Sequence, residues 1–292
     1  MKAGVCSYCF NAMLTKNEIT LMEIVSFVGK ETEADCFEPL TRFWDDKRDE
    51  FEQARELADL AKDVGIEISC YAQDNNFHLY DEAMNRKGIE ESIRRLETAK
   101  ILGTDTVRLD PRTSLPESPD DVDVDDLIER MAKSLAEVAD AALAMNIQIG
   151  LENHGRLLGR IGTTKRIIDL VNRPNFGINL DFTNFRHVFG EDHIEAAKLF
   201  APQTRHVHAK DFYKRADKPD GSGWNEIPTG EYIKRATGGE GDMGWSEVFT
   251  ILHNAGYSGT ISLEVSDPAD IHGSVAKGVA NIKSLIKQVI TA

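Results

Sequence analysis

Four times along this chain an amphipathic helical pattern runs into a Gly or Asn and gives way, within a few residues, to a short apolar strand. Phe51, Ala54, Leu57, Ala61 and Val64 share a helical face before Gly65 and a strand at 66–70. Ile89, Ile93, Leu96 and Leu102 do so before Gly103 and a strand at 105–109. Leu127, Met131, Leu135, Val138 and Ala142 precede Asn146 and a strand at 147–152, and a helix at 245–255 precedes Gly256 and a strand at 260–264. With the remaining candidates, eight strands begin near Gly4, Ala34, Ile66, Asp105, Ile147, Gly177, Arg205 and Thr260. Strands alternating with helices require parallel strands and right-handed crossovers. Eight such units in 292 residues, closed by a helix through Val275, Val279, Ile282 and Ile286, predict an α/β fold. Its expected form is a (β/α)8 TIM barrel occupying residues 1–292 as a single domain. The competing open sheet usually carries a glycine-rich dinucleotide fingerprint after its first strand, and this chain has none there.

Residues 212–244 break the rhythm: they have no sustained period and are rich in Gly, Pro, Asp and Lys. A loop of that length in a compact domain is usually functional. Following the seventh strand, it is expected on the C-terminal face, where barrel active sites sit.

Charge and patterning exclude several classes of partner. The chain carries 49 acidic and 34 basic residues, a formal charge of -15, which disfavours nucleic acid. No stretch approaches the roughly 20 apolar residues that cross a bilayer, so no membrane partner is expected. The first residues run directly into a strand-like Val5 to Phe10, not into a secretory signal, and a cytoplasmic location is expected. Cys6, Cys9, Cys36 and Cys70 fall within or at the ends of candidate strands. The Cys6-x-x-Cys9 spacing has no second pair, so reduced core thiols are expected.

The last four strands each end in a residue able to bind metal: Glu152, Asp181, His208 and Glu264. Strand alternation puts Glu152 on one face with Gly150, Asp181 with Asn179, His208 with His206, and Glu264 with Ser262. Ile149, Leu151, Ile178, Leu180, Val207, Ile261 and Leu263 take the opposite face. Apolar residues therefore face the helices, and three carboxylates and an imidazole converge inside the barrel mouth. Left unpaired, such carboxylates would repel each other and shift strongly upward in pKa, so a cation is expected among them. One divalent ion is the economical choice. The mostly hard oxygen set suits Mn2+ or Mg2+ and tolerates Co2+ or Zn2+.

Around this set the readings are broader. His206 reads as an interior histidine behind His208. His154, with Asn153, reads either as a substrate contact or as a cap or loop-bonding residue. Lys210 and Lys214 read either as cations for a substrate hydroxyl or anionic group, or as solvated lysines of the loop. Tyr8, Glu38, Arg108 and Asp110 are placed near the pocket without a role, and His78, His187, His193, His253 and His272 lack a partner pattern.

The segments Gly150-Leu-Glu-Asn-His154, Asn179-Leu-Asp181, His206-Val-His-Ala-Lys-Asp211 and Ser262-Leu-Glu264 resemble the sugar isomerase/epimerase barrels of the xylose isomerase-like, endonuclease IV-like superfamily. So does Gly239-Glu-Gly-Asp-Met-Gly-Trp245 on the approach to the last strand. The resemblance implies one metal on Glu152, Asp181, His208 and Glu264, with His208 identified by its place three residues before Asp211. It also implies that Glu152 and Glu264 act as catalytic acid/base groups through a metal-stabilised enediolate. Members of the superfamily are often dimers or tetramers, so a homodimer or homotetramer acting on a small carbohydrate is expected. A lyase on the same scaffold, dehydrating an inosose or a dehydroshikimate-like acid, is the alternative. A sugar-binding barrel without turnover and an abasic-site endonuclease are more remote. Asn184 stands where the epimerases commonly have histidine, so substrate contacts at that point must differ.

Overall fold

The structure is a computed structural model that describes residues 1–113, 123–155, 159–265 and 267–291. Nine parallel strand segments form one sheet: β1 (Lys2–Cys6), β2 (Cys36–Glu38), β3 (Glu67–Ile68), β4 (Tyr71–Phe77), β5 (Thr106–Thr113), β6 (Gln148–Glu152), β7 (Phe176–Asp181), β8 (Thr204–Ala209) and β12 (Thr260–Leu263). Their order is β3-β2-β1-β12-β8-β7-β6-β5-β4. The two ends of that order are consecutive in the chain, separated by Ser69 and Cys70 alone. The Ser69 and Ala72 amides donate to the Phe37 and Pro39 carbonyls, so pairing with β2 continues past the break. β3 and β4 are thus one interrupted stave, and the nine segments make the eight staves of a nearly closed (β/α)8 barrel. The strand expected at 66–70 is the first half of this stave.

The repeated unit forms as the chemistry requires. The helices Glu50–Asp63, Glu82–Ile101, Val124–Ala144 and Trp245–Asn254 are each followed by a left-handed residue, at Gly65, Gly103, Asn146 and Gly256. Glycine meets no side-chain penalty there, and asparagine tolerates it better than most residues. At the other end, Asp49, Asp81 and Asp123 accept first-turn N–H groups of their helices, each cap worth about 1 kcal/mol. Thr20 and Glu23 form a reciprocal capping box at the helix Leu21–Glu31. Leu57, Leu96, Leu135 and Val138 are fully buried with Val107, Ile149, Ile178 and Val207 in the main apolar cluster. The barrel interior instead collects Cys6, Glu38, Arg108, Asn179, His206, His208 and Ser262, all buried.

Residues 212–244 differ from the expected loop. They contain a three-stranded antiparallel sheet of β9 (Phe212–Arg215), β10 (Asn225–Glu226) and β11 (Tyr232–Arg235) in the order β10-β11-β9. The strands are two to four residues long and largely exposed, so they bury too little to print an alternation on the sequence. No helix among the described residues is long and apolar enough to cross a membrane. The four cysteines are free thiols; Cys6, Cys36 and Cys70 are buried, while Cys9 is half-buried rather than a core residue.

Candidate metal centre

Register sets the height of each side chain along the barrel axis. Asp181 is level with His208 across the β7–β8 pairing, and Glu152 is level with Asn179, one inward position lower. Glu264 follows β12 and its amide donates to the Ala209 carbonyl, which lifts its side chain to the height of Lys210. One donor atom from each of Glu152, Asp181, His208 and Glu264 lies within 4.8 Å of the others, and all four residues are buried. His208 Nδ1 is 3.5 Å from Glu152 Oε1 and 3.3 Å from Glu264 Oε2.

The carboxylates do not stand unpaired, which corrects the expectation drawn from the sequence. Arg108 Nε is 2.5 Å from Glu152 Oε2, and Lys210 Nζ is 2.5 Å from Asp181 Oδ2 and 2.8 Å from Glu264 Oε2. The chain therefore brings two permanent cations of its own to the cluster. A carboxylate from the opposite side joins as well: Glu38 places Oε1 2.8 Å from His208 Nε2 and Oε2 2.9 Å from His206 Nε2.

Burial and neighbours move these groups in different directions. Burial pushes the Glu152 carboxyl up, as does the Glu264 carboxylate, but the Arg108 guanidinium and the His208 imidazole together hold the group down at about 2. Burial pushes Asp181 up, Lys210 pulls it back, and the Glu264 and Glu152 carboxylates push again, leaving it raised to about 7. Burial also opposes ionisation of Glu264, which Lys210 and His208 nonetheless hold well below the usual range. His208 is raised well above an ordinary imidazole: burial lowers it, and Glu38 and Glu264 more than reverse that.

The donor set fits a divalent cation. Glu152 Oε2, Asp181 Oδ2 and Glu264 Oε2 touch cations yet accept no hydrogen bond of proper geometry, so each keeps buried lone pairs unspent. Ligand atoms about 2.1 Å from an octahedral ion lie at most about 4.2 Å apart across it, so small side-chain movements would close the observed spread.

The other residues singled out from the sequence divide. Lys210 lies within the cluster and also donates to Asn184 Oδ1 at 3.2 Å. Buried Asn184 donates its backbone amide to Oδ1 of the helix cap Asp181 at 3.3 Å and leaves its side-chain Nδ2 without a partner. His154 stands at the rim with Nδ1 3.1 Å from Asp110 Oδ2, and that contact raises its pKa. His206 lies behind His208 on Glu38. Lys214 does not reach the cluster; its Nζ is 3.4 Å from Oε1 of Glu231, the residue just before β11. Of the histidines without a partner pattern, His272 packs edge-on against Phe10 and Phe27. Beside Glu264 a cavity of about 150 Å³ is lined by Tyr8, Cys9, Phe10, Met13, Arg235 and Val265.

Sequence reasoning gave no role to Arg108 and Glu38. A signal existed in both cases. Arg108 lies between Val107 and Leu109, and Glu38 is in phase with Cys36, so alternation turns both side chains inward. A charge at an inward position of a barrel strand must meet a partner there.

The same architecture recurs in known proteins. The chain is 32% identical over 133 residues to inosose dehydratase 1 of Bacillus cereus, a match covering 44% of this chain and 44% of that protein. It is 25% identical over 219 residues to inosose isomerase of Halalkalibacterium halodurans, covering 74% of this chain and 72% of the relative. The first match thus spans less than half of the relative's length. Among solved structures, the IOLI protein with a binding zinc atom superposes with a TM-score of 0.73 at 21% identity, covering 100% of this chain and 98% of the other. The model of the xylose isomerase-like TIM barrel family matches residues 28–285, and the chain belongs to that family.

Proposed function

We propose that this protein is a metal-dependent enzyme that isomerises or epimerises a small keto-sugar or polyol-derived ketone by moving a proton on the carbon next to the carbonyl. The observation that carries the reading is the convergence of four buried donors, three of which keep an oxygen without a hydrogen bond. Glu152, Asp181, His208 and Glu264 would hold one divalent ion, with Mn2+ or Mg2+ best suited and Co2+ or Zn2+ acceptable. When bound, the ion supplies Lewis acidity worth several kcal/mol against the negative charge that develops as the proton leaves.

The chain's own residues provide the proton chemistry. Glu152 and Glu264 come from the outermost of the four contributing staves, so they approach a bound substrate from different sides. One would remove the proton and the other return it to the opposite face of the enediolate. Arg108 keeps Glu152 ionised, and Lys210, between Asp181 and Glu264, would polarise a neighbouring hydroxyl. His154 and Asn184 are the candidates for further hydroxyl contacts, Asn184 through its unspent Nδ2.

A second reading is a lyase, and the placement of Lys210 favours it. An ammonium touching the catalytic base candidate Glu264 could protonate a hydroxyl leaving from the next carbon, and the match to an inosose dehydratase points the same way. Incubating the Mn2+-loaded protein with ketoses and inososes in D2O separates the readings. Deuterium entering next to the carbonyl without loss of water is expected for the isomerase or epimerase. A new ultraviolet-absorbing enone would decide for the lyase. No exchange from any substrate, with metal bound, would sink both.

A further inference from the structure

Glu38 lies on the side of the barrel away from Glu152, Asp181, His208 and Glu264, yet it is fully buried against the His208 ring. Both of its oxygens are engaged, one by each Nε2 of His206 and His208. The two rings stand edge to face, with centroids 5.5 Å apart and planes at 86°, which lets one carboxylate reach both nitrogens. We infer that Glu38 is a positioning residue: by accepting the Nε2–H of both imidazoles it fixes the His208 ring so that Nδ1 is the nitrogen offered to the ion. This inference rests on the ion-binding reading of Glu152, Asp181, His208 and Glu264.

Two observations support the assignment. On the other edge of the ring, His208 Nδ1 faces Glu152, Glu264 and the Asn179 side chain, whose Nδ2 is 3.2 Å away. Nδ1 is thus the ring nitrogen turned toward the other candidate ligands, while Nε2 is turned away from them onto Glu38. Second, Glu38 is itself poorly placed to be a ligand. Donor atoms of Cys70 and His206, and of Cys6 and His208, lie within 4.8 Å of it. However, its oxygens are already satisfied by imidazole N–H groups, whereas Glu152, Asp181 and Glu264 each keep one oxygen without a hydrogen bond. Without the carboxylate, His208 Nε2 would be a buried donor with no partner, and the ring would be free to turn toward the carboxylates on its other side.

The test is Glu38→Gln in the full chain. The amide keeps the shape and one acceptor oxygen, but sets an NH2 group against the second imidazole N–H. Calorimetric titration with Mn2+, together with the absorption spectrum of the Co2+ form, should show one ion per chain bound about 10–100-fold more weakly in an altered geometry. Proton NMR of the metal-free protein should show slowly exchanging, strongly downfield Nε2 protons for His206 and His208 in the parent and not in the variant. Should Glu38→Gln fail to fold, Glu38→Asp serves: it keeps the charge but is one methylene too short to bridge both rings, so affinity should fall there too. Unchanged affinity with an unchanged Co2+ spectrum overturns the inference. So does a second ion per chain that is lost in Glu38→Gln, since Glu38 would then be a ligand. If the parent binds no ion at all, the proposed function fails separately. The downfield signals still decide about Glu38, which their absence from the parent would overturn.

Discussion

The staves β6, β7, β8 and β12 and the staves β1 to β5 are built on the same alternation but contribute opposite things. The first group ends in Glu152, Asp181, His208 and Glu264, four potential ligands at adjacent tips. The second group meets them with Arg108 on Glu152 and Glu38 on His208, and offers His154 a carboxylate in Asp110. One half of the barrel presents the donors; the other supplies charged partners for Glu152 and His208, while Lys210, which follows β8 in the donor half itself, serves Asp181 and Glu264. A ligand set inside a barrel is therefore half of a site; the rest is the compensating shell that keeps it folded when no ion is present.

The largest effect should come from breaking that compensation. Arg108 contacts Glu152 at 2.5 Å and Asp74 at 3.3 Å, and is almost wholly buried. Arg108→Met leaves the Glu152 carboxylate buried beside two other acids, at a cost of about 3–5 kcal/mol in urea denaturation of the metal-free protein. Mn2+ should return part of this, since an ion at 100 times its Kd stabilises by about 2.7 kcal/mol. A loss below about 1 kcal/mol would show that the two halves do not neutralise each other.

Next in size is the converse change in the donor half. Asp181→Asn keeps the shape and the cap on the Asn184 amide while removing a ligand charge. Ion affinity should fall by more than the about 10–100-fold expected for a positioning residue, as read by the same titration. Affinity equal to that of the parent would remove Asp181 from the ligand set and leave it as a helix cap beside Lys210.

Legibility from sequence follows the same division. The staves and their helices were readable because each repeats one local rule, an apolar helical face ended by Gly65, Gly103, Asn146 or Gly256 and followed by a strand. The four candidate ligands were readable because each stands at a strand tip, where alternation and position agree. Arg108 and Glu38 were harder because their partners lie 44 and 170 residues away in sequence, so each looked like a lone charge in a strand until the barrel closed. The sheet of β9, β10 and β11 left no pattern because its strands are short and exposed. Asp211, which served to identify His208 by spacing, has a structural task that spacing does not reveal. Its carboxylate accepts the amides of Phe212, Gly239, Gly241 and Met243 and ties both ends of the 212–244 segment to β8. The approach is close enough that a Cβ on Gly241 would stand 2.3 Å from Asp211 Oδ1, so only glycine fits.

That anchor sets a third, intermediate effect. Asp211→Ala removes the acceptor for several amides, and even with water entering the gap about 2 kcal/mol should be lost, within the range for unsatisfied buried donors. Hydrogen exchange should quicken at Gly239 and Gly241 while the amides of β6 and β7 remain protected. Uniform acceleration over the whole barrel would mean that the segment and the barrel unfold as one unit.

The smallest effect is expected at Lys214, where the comparison is between two lysines four residues apart. Lys210 is buried among Asp181, Glu264 and Asn184, whereas Lys214 is partly exposed and pairs with Glu231, which also binds Arg186. A solvated pair of this kind contributes at most about 1 kcal/mol, and Arg186 remains to hold Glu231 when Lys214 is removed. Lys214→Ala should therefore leave stability, ion affinity and turnover near those of the parent. Lys210→Met should cost far more, because it leaves Asp181 and Glu264 buried without their shared cation. A rise in KM at unchanged kcat in Lys214→Ala would mean that the side chain leaves Glu231 for the substrate, moving the boundary of the site outward onto the three-stranded sheet.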